Sequence, residues 1–284
     1  MSTELRIDAL LPGEMARRAE YIGVRKAESP VITTFSLAIL AGAFIALGAN
    51  FATTISTGAS QLPYGIGRLL AGSVFCLGLI LVIVGGAELF TGNNLIVMAW
   101  ANKKVTSKAL LRNWVIVYLG NFVGSFGTAL LVFLSKQYTF SAGGVGVTAL
   151  KTAITKSNLE FLPAIALGVL CNALVCLAVW MTFGAHSTVD KIAAIIFPIT
   201  AFVAAGFEHS IANMYFIPIA ILIKDFDASF MTSQAVLDAG LKVDVLNWGT
   251  FLVNNLLPVT VGNIIGGAVL VAAVYWSIFL RSSK

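Results

Sequence analysis

His209 stands inside a long apolar run, Ile199 to Phe216, with Glu208 before it, Ser210 after it and Asn213 four residues on. An imidazole there can exchange a proton near neutral pH or hydrogen-bond an anion. An ionisable group at membrane depth is expensive, roughly 2.5 kcal/mol or more for an acid at a helix centre. It therefore faces protein or water and is a functional candidate. The same polar pattern occurs 120 residues earlier, where Gly86, Glu88 and Asn93 match Gly206, Glu208 and Asn213. Thr91 is a hydroxyl within this earlier copy. Other chemistry has little to build on. Cys76, Cys171 and Cys176 lie in apolar runs, without CxxC or metal-ligand spacing. No Ser-His pair shows diagnostic spacing, so an intramembrane enzyme is disfavoured, and no cofactor is expected.

The elements that hold these residues follow from composition. Of 284 residues, 58% are hydrophobic and 11% charged, with mean hydropathy +0.91. Soluble domains carry about 25% charged residues, so the chain reads as a polytopic, all-α membrane protein. The net charge of +5 implies no nucleic-acid partner, because the basic residues flank apolar segments. Six spans are expected: about 33–55, 66–84, 114–134, 161–183, 190–223 and 248–280. Each is near or above the ~20 residues needed to cross a bilayer. The second and fifth are expected to break at Gly85-Gly86 and Gly206 and then resume. Such breaks are tolerated where the freed backbone lines a cavity. Between spans three and four a polar, Gly-rich connector is expected, holding Lys136, Lys151 and Lys156.

Six spans place both termini on one side. That side carries twelve Lys and Arg against six on the other, so both termini are expected in the cytoplasm of a multi-pass cell-membrane protein. Residues 1–30 carry a helical stripe of Ile7, Leu10, Leu11, Met15, Ala19 and Ile22, with Pro12 suited to a first turn. They read as a cytoplasmic amphipathic helix, either an interfacial anchor or a gate over a pore mouth. Residues 31–280 form the transmembrane domain and 281–284 a short cytoplasmic tail. Three spans per half, with duplicated breaks, imply two inverted repeats. Gly120-Asn121 and Gly124 echo Gly262-Asn263 and Gly266, and Gly42 loosely echoes Gly168. Small residues at this spacing allow close helix contact, and Asn121 and Asn263 can bridge helices.

The stretch Ile83-Val84-Gly85-Gly86-Ala87-Glu88-Leu89-Phe90-Thr91-Gly92 resembles the signature of the formate/nitrite transporter family. Gly168-Val169-Leu170-Cys171-Asn172-Ala173, Gly206-Phe207-Glu208-His209-Ser210 and Leu257-Pro258-Val259-Thr260 resemble its later landmarks. The resemblance covers almost the whole chain and is closest to the formate channels. It implies an aquaporin-like protomer with its own pore, five protomers in a ring within the lipid bilayer. It also implies passage of small monovalent anions or their acids: formate, nitrite, acetate, lactate or hydrosulfide. No Asn-Pro-Ala motif is present, so the likeness to water channels is one of architecture.

From the resemblance, Phe75, Leu79, Leu89, Phe90, Val175 and Phe202 are expected to narrow the pore, the alternative being ordinary core packing. Apolar rings make a permeant shed its water. His209 would lie between the constrictions, holding an anion or passing it a proton; a neutral acid crosses an apolar ring more cheaply. Thr91 would donate to a carboxylate opposite His209. Asn172 and Glu208 would hold and tune the imidazole. For Glu208, a structural carboxylate on the free amides of the restarting helix is the alternative. Glu88 is expected to be structural in that way, with Asn93 and Asn213 at the breaks. Lys156 is expected at the outer mouth, raising the local anion concentration, or else as a solvated loop lysine. A cation or ammonia channel remains the runner-up, because two carboxylates lie at membrane depth.

Overall fold

The structure, a computed structural model, describes residues 9–281. Residue Ile7 of the stripe, residues 282–284 of the tail and the rest of residues 1–8 lie outside it. Helix α1 spans Pro12–Glu28 and begins at the expected proline. Its buried face is Met15, Ala16, Ala19, Gly23 and Ala27, whereas Leu11 of the expected stripe is exposed. This face is nearly all small, so α1 sits close against protein. A Cβ on Gly23 would come 3.1 Å from the Ala99 side chain.

The spans follow in order. Helix α2 covers Val31–Ser56 and α3 covers Tyr64–Val84. At Gly86, φ is +73°, a backbone state that glycine adopts without strain. A 3₁₀ turn, Gly92–Ile96, and a short α4, Val97–Ala101, complete the second segment. Helix α5 covers Ser107–Leu134 and starts earlier than expected, because the Thr106 side chain caps it by accepting the Ala109 amide. The expected loop holds a helix instead: α6, Gly144–Ser157, burying Val145, Ala149, Leu150 and Ala153 on one face. Helix α7 covers Phe161–Gly184 and α8 covers Thr188–Ala205, the latter begun by a reciprocal Ser187–Asp190 capping box. Gly206, at φ +79°, ends α8, and α9 resumes over Ser210–Phe226. Two short helices follow, α10 (Ala228–Met231) and α11 (Gln234–Ala239). Helix α12, Thr250–Phe279, contains wide π-type turns over Thr250–Leu256 and Ile265–Ala273.

Six of these helices are long and apolar enough to cross a membrane: α2, α3, α5, α7, α8 and α12. They form two inverted three-helix repeats. Helix α2 packs on α3 and α5, α7 packs on α8 and α12, and α3 meets α8 between the halves. Glycine sets the closest approaches in both. A Cβ on Gly124 would lie 1.9 Å from the Ile39 carbonyl oxygen, and one on Gly266 would lie 2.1 Å from that of Val169. The correspondence extends ahead of the spans. Helix α1 precedes the first repeat as α6 precedes the second, and burial along residues 21–46 repeats along residues 151–176. The helices after the breaks differ: α4 is a stub, whereas α9 is buried along nearly its whole length against α2, α5 and α6.

Candidate functional site

Past Gly206 the backbone runs extended to His209, which is the N-cap of α9 at φ −112° and ψ 114°. Its Nδ1 accepts the Ala212 amide at 3.1 Å, and its Nε2 lies 3.0 Å from the Thr91 hydroxyl. An Nδ1 that accepts carries no hydrogen. The ring's proton therefore sits on Nε2 and is donated to Thr91, which leaves the Thr91 hydroxyl hydrogen for a third group. Both residues are buried.

The Thr91 carbonyl accepts from the Asn172 side-chain amide and from the Cys176 thiol, each at 3.3 Å. Asn172 also donates to the Asn263 carbonyl at 2.7 Å. It thus positions Thr91 from α7 and reaches the imidazole only through Thr91. All three cysteines are free and buried.

Neither glutamate meets the amides of its break. Glu208 pairs through Oε1 with Lys156 at 2.7 Å, and its Oε2 accepts from Asn213 at 2.7 Å. Glu88 pairs through Oε1 with Lys26 at 2.9 Å, and its Oε2 accepts from Asn93 at 2.6 Å. The amides go to asparagines instead. Asn121 Oδ1 accepts from Phe90 N and Asn263 Oδ1 from Ser210 N, both at 2.9 Å. Each of these asparagines also bridges helices: Asn121 donates to Ala38 O and Glu88 O, Asn263 to Gly168 O and Glu208 O. Asn113 closes the first network by accepting from Asn93 and donating to Lys26 O. Asn255 closes the second by accepting from Asn213 and donating to Lys156 O. Sequence reasoning missed Lys26, Asn113 and Asn255. The separations that would have found them are 130 residues from Lys26 to Lys156 and 142 from Asn113 to Asn255, the latter shared by Asn121 and Asn263.

Lys156 is on α6 and not in a loop. Its ammonium is held by Glu208 and lies 5.3 Å from the Phe216 ring centre. That neutralises much of the charge that would draw anions.

Two cavities flank the His209–Thr91 bond. The one on the α6 side, about 310 Å³, is lined by Arg68, Phe75, Lys151, Lys156, Phe202 and His209 among others. The one on the α1 side, about 80 Å³, is lined by Lys26, Leu79, Leu89, Gly92 and Asn93 among others. Phe75 and Leu79 are one turn apart on α3 and face different cavities, so the wall between the cavities lies at this level. Phe75 meets Phe202 edge to face at 5.6 Å, and Phe202 stacks near His209 at 5.9 Å. Phe90 and Val175 line neither cavity. Leu89 and Phe90 are neighbours in non-helical chain and point to opposite sides. The Phe90 ring therefore packs on Trp114 and Tyr118 in a lateral groove of about 450 Å³. Val175 is buried in the main apolar core.

Residues 13–277 match the family model described as formate/nitrite transporter. The formate channel FocA of Escherichia coli K12 is 45% identical over 283 residues, covering 100% of this chain and 99% of that one. FocA of Haemophilus influenzae is 41% identical, covering 92% of each. A solved structure described as a pentameric formate channel with formate bound superposes with a TM-score of 0.81 at 45% identity, covering 88% of this chain and 98% of that one. The duplicated breaks, the matched asparagine networks and these likenesses agree: the chain belongs to the formate/nitrite transporter family.

Proposed function

We propose that this protein is a channel for small monovalent anions, formate first and nitrite or other short acids after it. Each protomer of a homopentamer has its own pore through the cell membrane. The observation that carries the reading is the His209–Thr91 bond, which leaves the buried Thr91 hydroxyl hydrogen free where two broken spans meet, at the inner end of the α6-side cavity. A permeant entering the α6-side cavity meets the Phe75–Phe202 pair, then the Thr91 hydroxyl, then Leu79 and Leu89. The aromatic and aliphatic side chains strip its water, and the Thr91 hydroxyl, with the imidazole behind it, replaces part of that hydration. The resting ring is neutral. A proton relay through it requires Nδ1 to release the Ala212 amide, because the second proton can enter only there.

Helix α1 lies at the cytoplasmic face and residues 31–280 form the channel. Both termini are cytoplasmic, as the basic residues on that side support. The α6-side cavity is then external. The protein moves its substrate without covalent chemistry and uses no cofactor. Flux of formate, nitrite, hydrosulfide and ammonia into protein-containing liposomes at two pH values tests the reading. Formate-competed anion flux is expected, and ammonia flux without anion flux would overturn it.

A further inference from the structure

Three basic side chains line the α6-side cavity: Arg68, Lys151 and Lys156. Only Lys156 is ion-paired, with Glu208. Arg68 and Lys151 contact no carboxylate among the described residues. Arg68 projects from the first turns of α3 to the last turn of α8. There Nε donates to Ala204 O at 3.0 Å and Nη2 donates to Val203 O. It thus closes the carbonyl end of α8 just before the break, and a Cβ on Gly206 would lie 3.4 Å from its Nη2. A guanidinium has five N–H donors in a rigid fork, and two are committed here. Carbonyls orient this charge but do not cancel it, so the remaining donors belong to an uncompensated cation beside the cavity. The first break has no counterpart. Among the described residues no arginine bonds Ile83 O or Val84 O, and the lysine of that cavity, Lys26, is paired with Glu88.

We propose that Arg68, with Lys151, is the docking point for the permeant anion at the α6-side mouth, a role that the charge balance denies to Lys156. The inference rests on the anion-channel reading above. Its ligand is a small monovalent carboxylate or oxyanion, for which a planar fork is a better match than a lone ammonium. The paired Lys156 lies deeper, next to the imidazole's neighbour, and holds Glu208 in place.

The test is initial formate flux, inward and outward, in cells that lack other formate transporters. It is measured against formate concentration and ionic strength for wild type, Arg68→Gln/Lys151→Gln, Arg68→Lys/Lys151→Arg and Lys156→Gln, with pentamer content checked. Gln at 68 can still donate to the α8 carbonyls but carries no charge. The neutral pair is expected to raise the half-saturating concentration roughly tenfold in one direction only at low ionic strength. Its maximal flux should be unchanged, and the difference should vanish near 1 M salt, where the screening length is about 3 Å. The charge-keeping pair should behave as wild type. An unshifted concentration curve in the neutral pair overturns the proposal, as does a fall in maximal flux that the charge-keeping pair shares. A salt-dependent shift in Lys156→Gln alone returns the role to Lys156. A wild type that carries no formate refutes the channel reading itself.

Discussion

The Nδ1 of His209 accepts the amide of Ala212, so the ring facing the permeant path is also the cap of its own helix. His209→Phe removes donor and cap together. It should lose most formate and nitrite flux, and about 1 kcal/mol of stability with the cap. His209→Asn can still cap and donate. It should stay as stable as wild type and keep part of the flux, with less dependence on pH. Liposome flux from acidic to neutral pH, with thermal unfolding in detergent, separates the two losses. Equal stability of the Phe and Asn variants would show that the cap is energetically idle.

Thr91 contributes through two atoms. Its hydroxyl meets His209, and its carbonyl is held by Asn172 and Cys176. Thr91→Val keeps shape and carbonyl but removes the hydroxyl, leaving the imidazole N–H unpartnered at a cost of about 1–3 kcal/mol. Formate flux should fall strongly in Thr91→Val and survive in Thr91→Ser. Comparable flux in Val and Ser variants would mean that the hydroxyl does not touch the permeant.

The two ion pairs differ in burial. The Lys156 and Glu208 side chains are 15% and 5% exposed, those of Lys26 and Glu88 27% and 12%. Removing one partner strands the other charge, by about 3 kcal/mol or more when the pair is buried. Glu208→Gln should therefore destabilise more than Glu88→Gln, and Glu208→Gln/Lys156→Met should recover part of the loss. Thermal midpoints in detergent check the order, and a reversed order would refute the burial argument.

Helix α1 is bound by more than its apolar face. Asn113 donates to Lys26 O, Arg112 to Ala27 O and Ser29 O, and Arg18 to Phe183 O. Deleting residues 1–9 is the control, since it keeps α1 and each of these bonds. Deleting residues 1–29 removes the partner of Glu88 and should lower the thermal midpoint, with Lys26→Met giving part of that loss. A full-length midpoint after the longer deletion would make α1 a free flap.

Gly124→Ala should force α2 and α5 apart and cost about 1–3 kcal/mol. Gly127→Ala is its control, because nothing lies within 4 Å of a Cβ there. Unfolding in detergent should separate them clearly.

Both breaks were legible because glycine, glutamate and asparagine recur at one spacing, and polar residues stand out against an apolar background. The spans were legible from length alone. Helix α6 was not, because Gly143, Gly144 and Gly146 suggest a loop, while its apolar face recurs only at Val145, Ala149, Leu150 and Ala153. The partner of each glutamate was hidden for a different reason. Lys26 and Lys156 lie outside the spans, so tertiary packing and not local pattern brings them to the breaks. The direction of Phe90 was also out of reach, since the family likeness marks the position but not the side to which it turns.

The clamp on α1 bears on the order of biogenesis. A ribosome releases α1 first, yet Lys26 finds Glu88 only after 62 more residues and Asn113 only after 87. Full docking of α1 therefore requires segments made after it: the break that follows α3, the start of α5 and the end of α7. Its docking is complete only once the second half supplies Phe183, whose carbonyl accepts from Arg18. A nascent chain that ends after α4 thus already carries both partners of the Lys26 ammonium, Glu88 and Asn93, whereas one that ends after α3 carries neither and leaves it open to labelling.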